Sequence, residues 1–346
     1  MAILYLTSND GSDMRITKEV KTLSESSEII FIGIASDAES FVTPYCKEVH
    51  FIRGKRNHPF TLLKQIVKVK QILFSRKVDS IHVINEQLMI FFYPLLFLKP
   101  TVLDLFDSIF LKKNFPKNRL ALLKRLVYAP IDHIIVTDKN RLELMPDKAR
   151  KKTVVLPNYP NRIKDLPPKQ RTKELTILYN GWMGCGRGTE IVEGLINTGL
   201  PIKILMAGWF SDDYTRKLVD KYPDKIRFRG VLPQQSALNW GAIDSDYILC
   251  VYAPVNQNNI NASPNKIFDA IQIKTPLIIN SEVKASQFVK EHGIGKVIPA
   301  YFVSDYTKLY DDLLNGREAY TWDFKLADKY SWEKVSGALK ELHGII

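Results

Sequence analysis

Short runs rich in Ile, Val and Leu alternate with amphipathic stretches of helix length, and the pattern passes through this 346-residue chain twice. In the first half the runs are Ala2–Leu6, Ile29–Ile34, Ser80–Ile84, Thr101–Leu105, His133–Val136 and Thr153–Leu156. A strand covered on both faces by returning helices reads as a continuous apolar run, which is the signature of a parallel sheet. Strands of that kind separated by helices predict βαβ units and a doubly wound sheet. Pro157-Asn-Tyr-Pro160 and the polar, proline-rich stretch Lys164–Arg171 then interrupt the series and read as a linker. The alternation restarts with strands at Leu175–Tyr179, Ile202–Ala207, Ile226–Phe228, Tyr247–Val251 and Leu277–Ile279. Helices are expected at Thr189–Asn197, Ser211–Lys221, Pro233–Ile243, Lys266–Ile273 and Ala285–Glu291. The expected class is α/β, with two Rossmann-like doubly wound parallel-sheet domains facing across a cleft. Residues 1–160 and 173–328 form the domains and 161–172 the linker. Residues 329–346, with a Ser331 cap and apolar Val335, Leu339 and Leu342, predict a closing helix that crosses back to the first domain.

Composition narrows the class of protein. A hydrophobic content of 45% supplies a core for each domain and excludes a disordered or fibrous chain. Cys46, Cys185 and Cys250 are odd in number, widely spaced and without metal-ligand spacing, so neither a disulfide framework nor a metal site is expected, and a cytoplasmic location is. The apolar start Ala2–Leu6 is too short and lacks the basic flank of a secretion signal. Leu88–Leu98, the longest apolar run, is broken by Pro94 and falls well short of the roughly 20 residues that span a bilayer.

The net charge of +12 is uneven. Through Gln170 there are 28 Lys and Arg against 17 Asp and Glu; afterwards the counts are 21 and 20. A basic half calls for an anionic partner, either nucleic acid or the inner leaflet of a membrane. Phe60–Lys77 and Leu111–Val127 interleave Leu, Ile and Phe with Lys and Arg at helical spacing. Such segments either lie on an anionic membrane or present a solvated basic face over an ordinary core helix. The charge imbalance favours peripheral association with the inner face of the plasma membrane. The basic segments lack interleaved exposed aromatics and any recognition motif, so no nucleic-acid partner is expected.

Two stretches of the second half have the chemistry to hold an anion. At residues 261–280 a polar, proline-containing loop opens an apolar helix, placing Ser263, Asn265 and Lys266 where helix N–H groups lack partners, with Asp269 one turn further on. Phosphate at the first three and a sugar hydroxyl on Asp269 make one reading; an N-capped core helix makes the other. The turn Asn180–Glu190 carries Gly181, Gly184, Gly186 and Gly188 with Arg187 between the last two. It reads as a phosphate cradle or as a purely structural turn, and it lacks the terminal Lys-Ser or Lys-Thr of a P-loop. Both lie at carboxyl ends of strands, where open α/β sheets bind ligands.

In order and spacing these residues resemble the two-Rossmann GT-B glycosyltransferases, in particular family-4-like enzymes of bacterial surface polysaccharide synthesis. Ser12–Glu19, Asp79-Ser-Ile-His82, Leu103–Asp107, Val155-Leu-Pro-Asn158, Asn180–Gly188 and Ser263–Asp269 carry the resemblance. It implies transfer of a sugar from a nucleotide-diphosphate sugar to a saccharide or lipid-linked oligosaccharide acceptor, with no metal and no cofactor beyond the co-substrate. The implied donor site comprises Gly181, Trp182, Gly186, Arg187, Gly188, Asn261, Ser263, Asn265, Lys266 and Asp269. Asn261 stands where relatives carry a Glu, Phe106 where many carry a His, and Trp182 where some carry an Arg. Asp107, Glu86 and Asp13 are candidate catalytic carboxylates for an inverting reaction, with a helix cap as the other role for Asp107. Asn85 and Glu86, just past a strand, are placed to meet the acceptor; His82, inside that strand, reads as a core residue. A nucleotide-sugar epimerase or hydrolase on the same fold is the alternative activity.

Overall fold

The computed structural model describes residues 1–35, 40–56, 58–106, 108, 110, 117–143 and 145–346. The chain forms two compact units, Met1–Asn158 with Val335–Ile346, and Tyr159–Lys334.

In the first unit the strands are β1 (Ala2–Leu6), β2 (Glu28–Ile34), β3 (Glu48–Ile52), β4 (Ser80–Ile84), β5 (Thr101–Leu105), β6 (His133–Val136) and β7 (Thr153–Val155). They are joined by α1 (Met14–Ser24), α2 (Pro59–Ser75), α3 (Glu86–Phe92), α4 (Lys117–Val127), α5 (Lys139–Glu143) and α6 (Asp147–Arg150). All described pairings are parallel, in the order β3-β2-β1-β4-β5-β6-β7. β1 pairs with β2 on one side (Leu4 with Ile30) and β4 on the other (Leu4 with Ile81), so its carboxyl end is the point where strand order reverses. The strands β1, β4 and β5 are buried at every residue.

The second unit holds β8 (Leu175–Met183), α7 (Thr189–Asn197), β9 (Ile202–Phe210), α8 (Asp213–Lys221), β10 (Ile226–Phe228), α9 (Gln234–Asp244), β11 (Tyr247–Leu249), α10 (Gln257–Ile260), α11 (Asn265–Ile273), β12 (Leu277–Asn280), α12 (Ser286–Glu291), β13 (Gly295–Ile298), α13 (Tyr306–Gly316) and α14 (Phe324–Lys329). Its sheet is again parallel, in the order β10-β9-β8-β11-β12-β13, with the reversal at β8 and β11. One face packs on α7 and α13 through Ile191, Leu195, Leu309 and Leu313. The other packs on α9 and α11 through Leu238, Trp240, Ile267 and Ile271.

Three expectations are corrected. The strands β3 and β13 were not expected; both are edge strands, half-buried over most of their length, so their apolar signal is weak. Residues 161–172 are no free linker: Ile163 donates its N–H to Gln272, Gln170 to the Ile243 carbonyl, and Lys169 bonds Thr275, which binds the segment to the second unit. The closing helix is broken at Ser336 into α15 (Trp332–Val335) and α16 (Gly337–Leu342), and the chain passes between units at this break.

Candidate functional site

The second unit carries the better-developed site. α11 starts at Asn265 with Pro264 as its cap residue, and no side chain accepts from its first turn. Pro264 has no N–H and leaves the helix start open, so the capped-helix reading does not hold here. Lys266, second in the helix, makes no hydrogen bond or ion pair among the described residues. Burial, opposed by Cys250 and aided by the charge of Arg187, lowers its pKa. Its amine lies against Gly181, where an added Cβ would be 3.8 Å from Nζ. Arg187 stacks its guanidinium on Tyr252, 4.7 Å from the ring centroid, and forms no ion pair with a described carboxylate. Two cations that feel one another's charge, at an uncapped helix start, make a site for an anion.

Asp269 is buried and accepts from Gln234 Nε2 at 2.9 Å, at the first residue of α9. Sequence reading missed Gln234; the Pro233-Gln234 helix start was its only local signal. Ser263 and Asn265 flank the open start, both half-buried. Asn261 is different from its expected place at the donor: it is buried, and both amide protons go to Gln257, at 2.8 Å to the backbone oxygen and 3.0 Å to Oε1. Only its Oδ1 remains for a ligand.

Through residues 184–188 the glycine turn spends its backbone N–H groups on protein acceptors, while the start of α7 that follows has no side-chain cap. The N–H groups of five successive residues are taken: Gly184 by Tyr179 Oη (2.8 Å), Cys185 by Asp212 (2.7 Å), Gly186 by Glu190 (2.9 Å), Arg187 by the Gly184 carbonyl (2.9 Å) and Gly188 by Tyr301 Oη (3.1 Å). Glu190 also places a carboxylate in the first turn of α7, where a bound anion would have to sit. Gly188 is required sterically, with φ +120° and a built Cβ only 2.7 Å from Leu249. The turn therefore contributes the Arg187 side chain, and Gly186 and Gly188 shape the backbone that aims it.

In the first unit the sheet's carboxyl end is organised around buried charge. Arg15, second residue of α1, donates from Nε and Nη2 to Asp104 Oδ2 (2.8 and 2.7 Å) and from Nη1 to the Leu156 carbonyl (2.9 Å), and pairs with Glu19 (2.8 Å). Glu19, His82 and Asp104 offer ligand atoms within 4.8 Å of one another, the spacing of a metal site, but the Arg15 guanidinium already pairs with both carboxylates. His82 is fully buried, with Nε2 3.3 Å from Glu19 and Nδ1 3.0 Å from His343 Nε2; His343 Nδ1 meets Ser80 Oγ at 2.5 Å. One tautomer set serves both hydrogen bonds, with Ser80 donating to His343 and His343 to His82, while His82 Nε2 approaches Glu19 without hydrogen-bond geometry. Burial pushes the His82 pKa down to about 4 and lowers that of His343 as well.

The candidate acceptor residues separate. Glu86 is buried and accepts at Oε1 from Ser108 (2.7 Å) and Tyr128 (2.8 Å), which corrects its placement at the acceptor and as a catalytic base: it is turned into the core. Asn85 holds a left-handed φ of 64° and takes the Phe106 N–H at 2.9 Å, locking β4 to β5 at their carboxyl ends. Asp13 is exposed and caps α1 by accepting the Arg15 N–H at 2.9 Å. Asp107 lies outside the described residues.

No family model matches the chain, and no curated protein matches it in sequence. Solved structures do match it end to end. HepE of Anabaena, solved with UDP and glucose, aligns over 100% of both chains with a TM-score of 0.71 at 13% identity. Sucrose-phosphate synthase of Thermosynechococcus elongatus aligns over 99% of this chain and 98% of its own, at 0.69 and 16%. The lipopolysaccharide outer core galactosyltransferase WaaB aligns over 98% and 99%, at 0.61 and 13%. The chain has the GT-B fold. In this GT-B chain Lys266, Arg187 and Asp269 lie on the second unit and the buried charge network on the first. No described helix is long and apolar enough to cross a membrane.

Proposed function

We propose that this protein is a glycosyltransferase that moves a sugar from a nucleotide-diphosphate sugar to a saccharide acceptor, lipid-linked, in bacterial polysaccharide synthesis. The observation that carries the reading is the pair of cations, Lys266 and Arg187, that form no ion pair among the described residues, near the open start of α11, with the Asp269 carboxylate one turn beyond. A diphosphate would satisfy the cations, and Asp269 would accept from a ribose hydroxyl. In transfer the departing nucleoside diphosphate gains negative charge, and groups preorganised toward that charge lower the barrier. If the reaction inverts configuration, the acceptor proton is assigned to Asp107 or to the exposed Asp13.

The acceptor side is assigned to an anionic membrane surface. On α2, Phe60, Leu63, Val67 and Phe74 are exposed beside exposed Lys64 and Lys70, and residues 59–77 contain no acid. On α4, Leu122, Leu123 and Leu126 are exposed beside Arg125. Apolar side chains flanked by cations suit insertion among anionic headgroups.

The test is calorimetric titration of the full chain with UDP, GDP and ADP, together with nucleoside diphosphate release from their sugar conjugates. Binding that falls at least tenfold in Arg187→Ala and Asp269→Ala supports the reading; variants that bind as well as the parent sink it. For the membrane surface, cosedimentation with phosphatidylglycerol vesicles is expected and should be lost in the double variant Phe60→Ser, Phe74→Ser.

A further inference from the structure

Resting on that donor-site reading, we propose that Trp182 and Trp209 form the platform on which the nucleobase of the donor stacks. Trp182 and Trp209 are paired in register near the ends of β8 and β9, their rings 6.0 Å apart at 29°. Trp182 is 57% exposed, which leaves a large indole face uncovered by protein. A single exposed aromatic needs no explanation. This one has a stacked partner and a defined neighbour: the residue before it, Gly181, lies against the Lys266 amine.

The strand pattern shows which face the pair occupies. Met183 and Phe210 pack into the cluster around α7, so Trp182 and Trp209, one residue earlier on each strand, turn to the opposite face. That face is covered by α9 and α11, whose first turns carry Gln234 and Lys266 and whose Asp269 is bonded to Gln234. A diphosphate held by Lys266 and a ribose held by Asp269 leave one flat, apolar group of a nucleoside diphosphate to be placed, the base. An indole pair is the surface that takes any base, because every base presents a π face.

The experiment titrates UDP, GDP, ADP and inorganic pyrophosphate into parent, Trp182→Ala, Trp182→Leu and Trp182→Phe, by calorimetry and by tryptophan fluorescence. Trp182→Ala and Trp182→Leu are expected to bind nucleoside diphosphates at least about tenfold more weakly and pyrophosphate as the parent does, with Trp182→Phe close to the parent. Trp182→Leu keeps apolar bulk, so its result stands if the alanine variant folds poorly. Equal loss for pyrophosphate and nucleotides, or no loss at all, overturns the platform. If the parent binds no nucleoside diphosphate, the donor-site reading falls with it. If it binds them through Lys266 but ignores Trp182, only the platform falls.

Discussion

Arg15 and Lys266 are each the second residue of a helix packed on a parallel sheet, Arg15 fully buried and Lys266 half-buried. Arg15 is fully matched, by Asp104, Glu19 and the Leu156 carbonyl. Lys266 is matched by nothing described, and the second cation near it, Arg187, makes its charge less favourable still. A buried charge costs free energy unless it is paired. Arg15 thus serves the architecture of its own unit, and Lys266 is the cation that the proposed donor reading assigns to a phosphate. Within the second unit α7 and α11 both begin without a side-chain cap, and they differ in charge: α7 carries Glu190 in its first turn and α11 carries Lys266.

The comparison breaks most sharply by neutralising each cation in turn. Arg15→Met should cost about 3–5 kcal/mol of stability, because it strands Glu19 and Asp104 as buried carboxylates. Denaturant unfolding followed by circular dichroism checks this, and a loss below about 1 kcal/mol would show that Arg15 is not the keystone of that network. Lys266→Met should do the reverse: stability unchanged or slightly higher, and nucleoside diphosphate affinity reduced tenfold to a hundredfold, since charge-assisted bonds to phosphate are lost. Matched melting curves and titrations read both halves, and a Lys266 variant that unfolds easily would erase the distinction.

The smallest expected effect concerns protonation. His82 and His343 are held neutral by burial, with folded pKa values below the ordinary 6.5. Between about pH 6.5 and the His82 value of about 4, the unfolded chain binds protons that the folded chain refuses. Stability then falls as pH falls, by up to about 1.4 kcal/mol per pH unit for each histidine. Melting temperatures of parent and His343→Asn across pH 7 to 4.5 should show a shallower slope in the variant.

Much of the fold was legible locally. The buried strands announced themselves because both faces are covered, as in Leu4 and Ile81, and Thr189–Asn197 was read with its observed ends because its apolar positions keep helical period. Edge strands such as Glu48–Ile52 escaped because one side has no neighbour and the apolar signal thins. Lys266 and Asp269 were visible as a charged, loosely capped helix start. Glu86 was misplaced because a carboxylate just past a strand looks the same whether it faces solvent or, as here, the hydroxyls of Ser108 and Tyr128.

The sequence by itself determined the two sheets, their parallel sense and the helix start at Lys266, because period, apolar runs and proline placement act over a few residues. Only the tertiary structure decided which anion-capable turn stays open. Engaging the N–H groups of 184–188 takes Tyr179 and Glu190 from beside them and Asp212 and Tyr301 from further along the chain, and leaving Lys266 open takes the absence of any such partner among the described residues. Neither is a local property, since whether a donor is satisfied depends on what the fold carries to within about 3 Å of it.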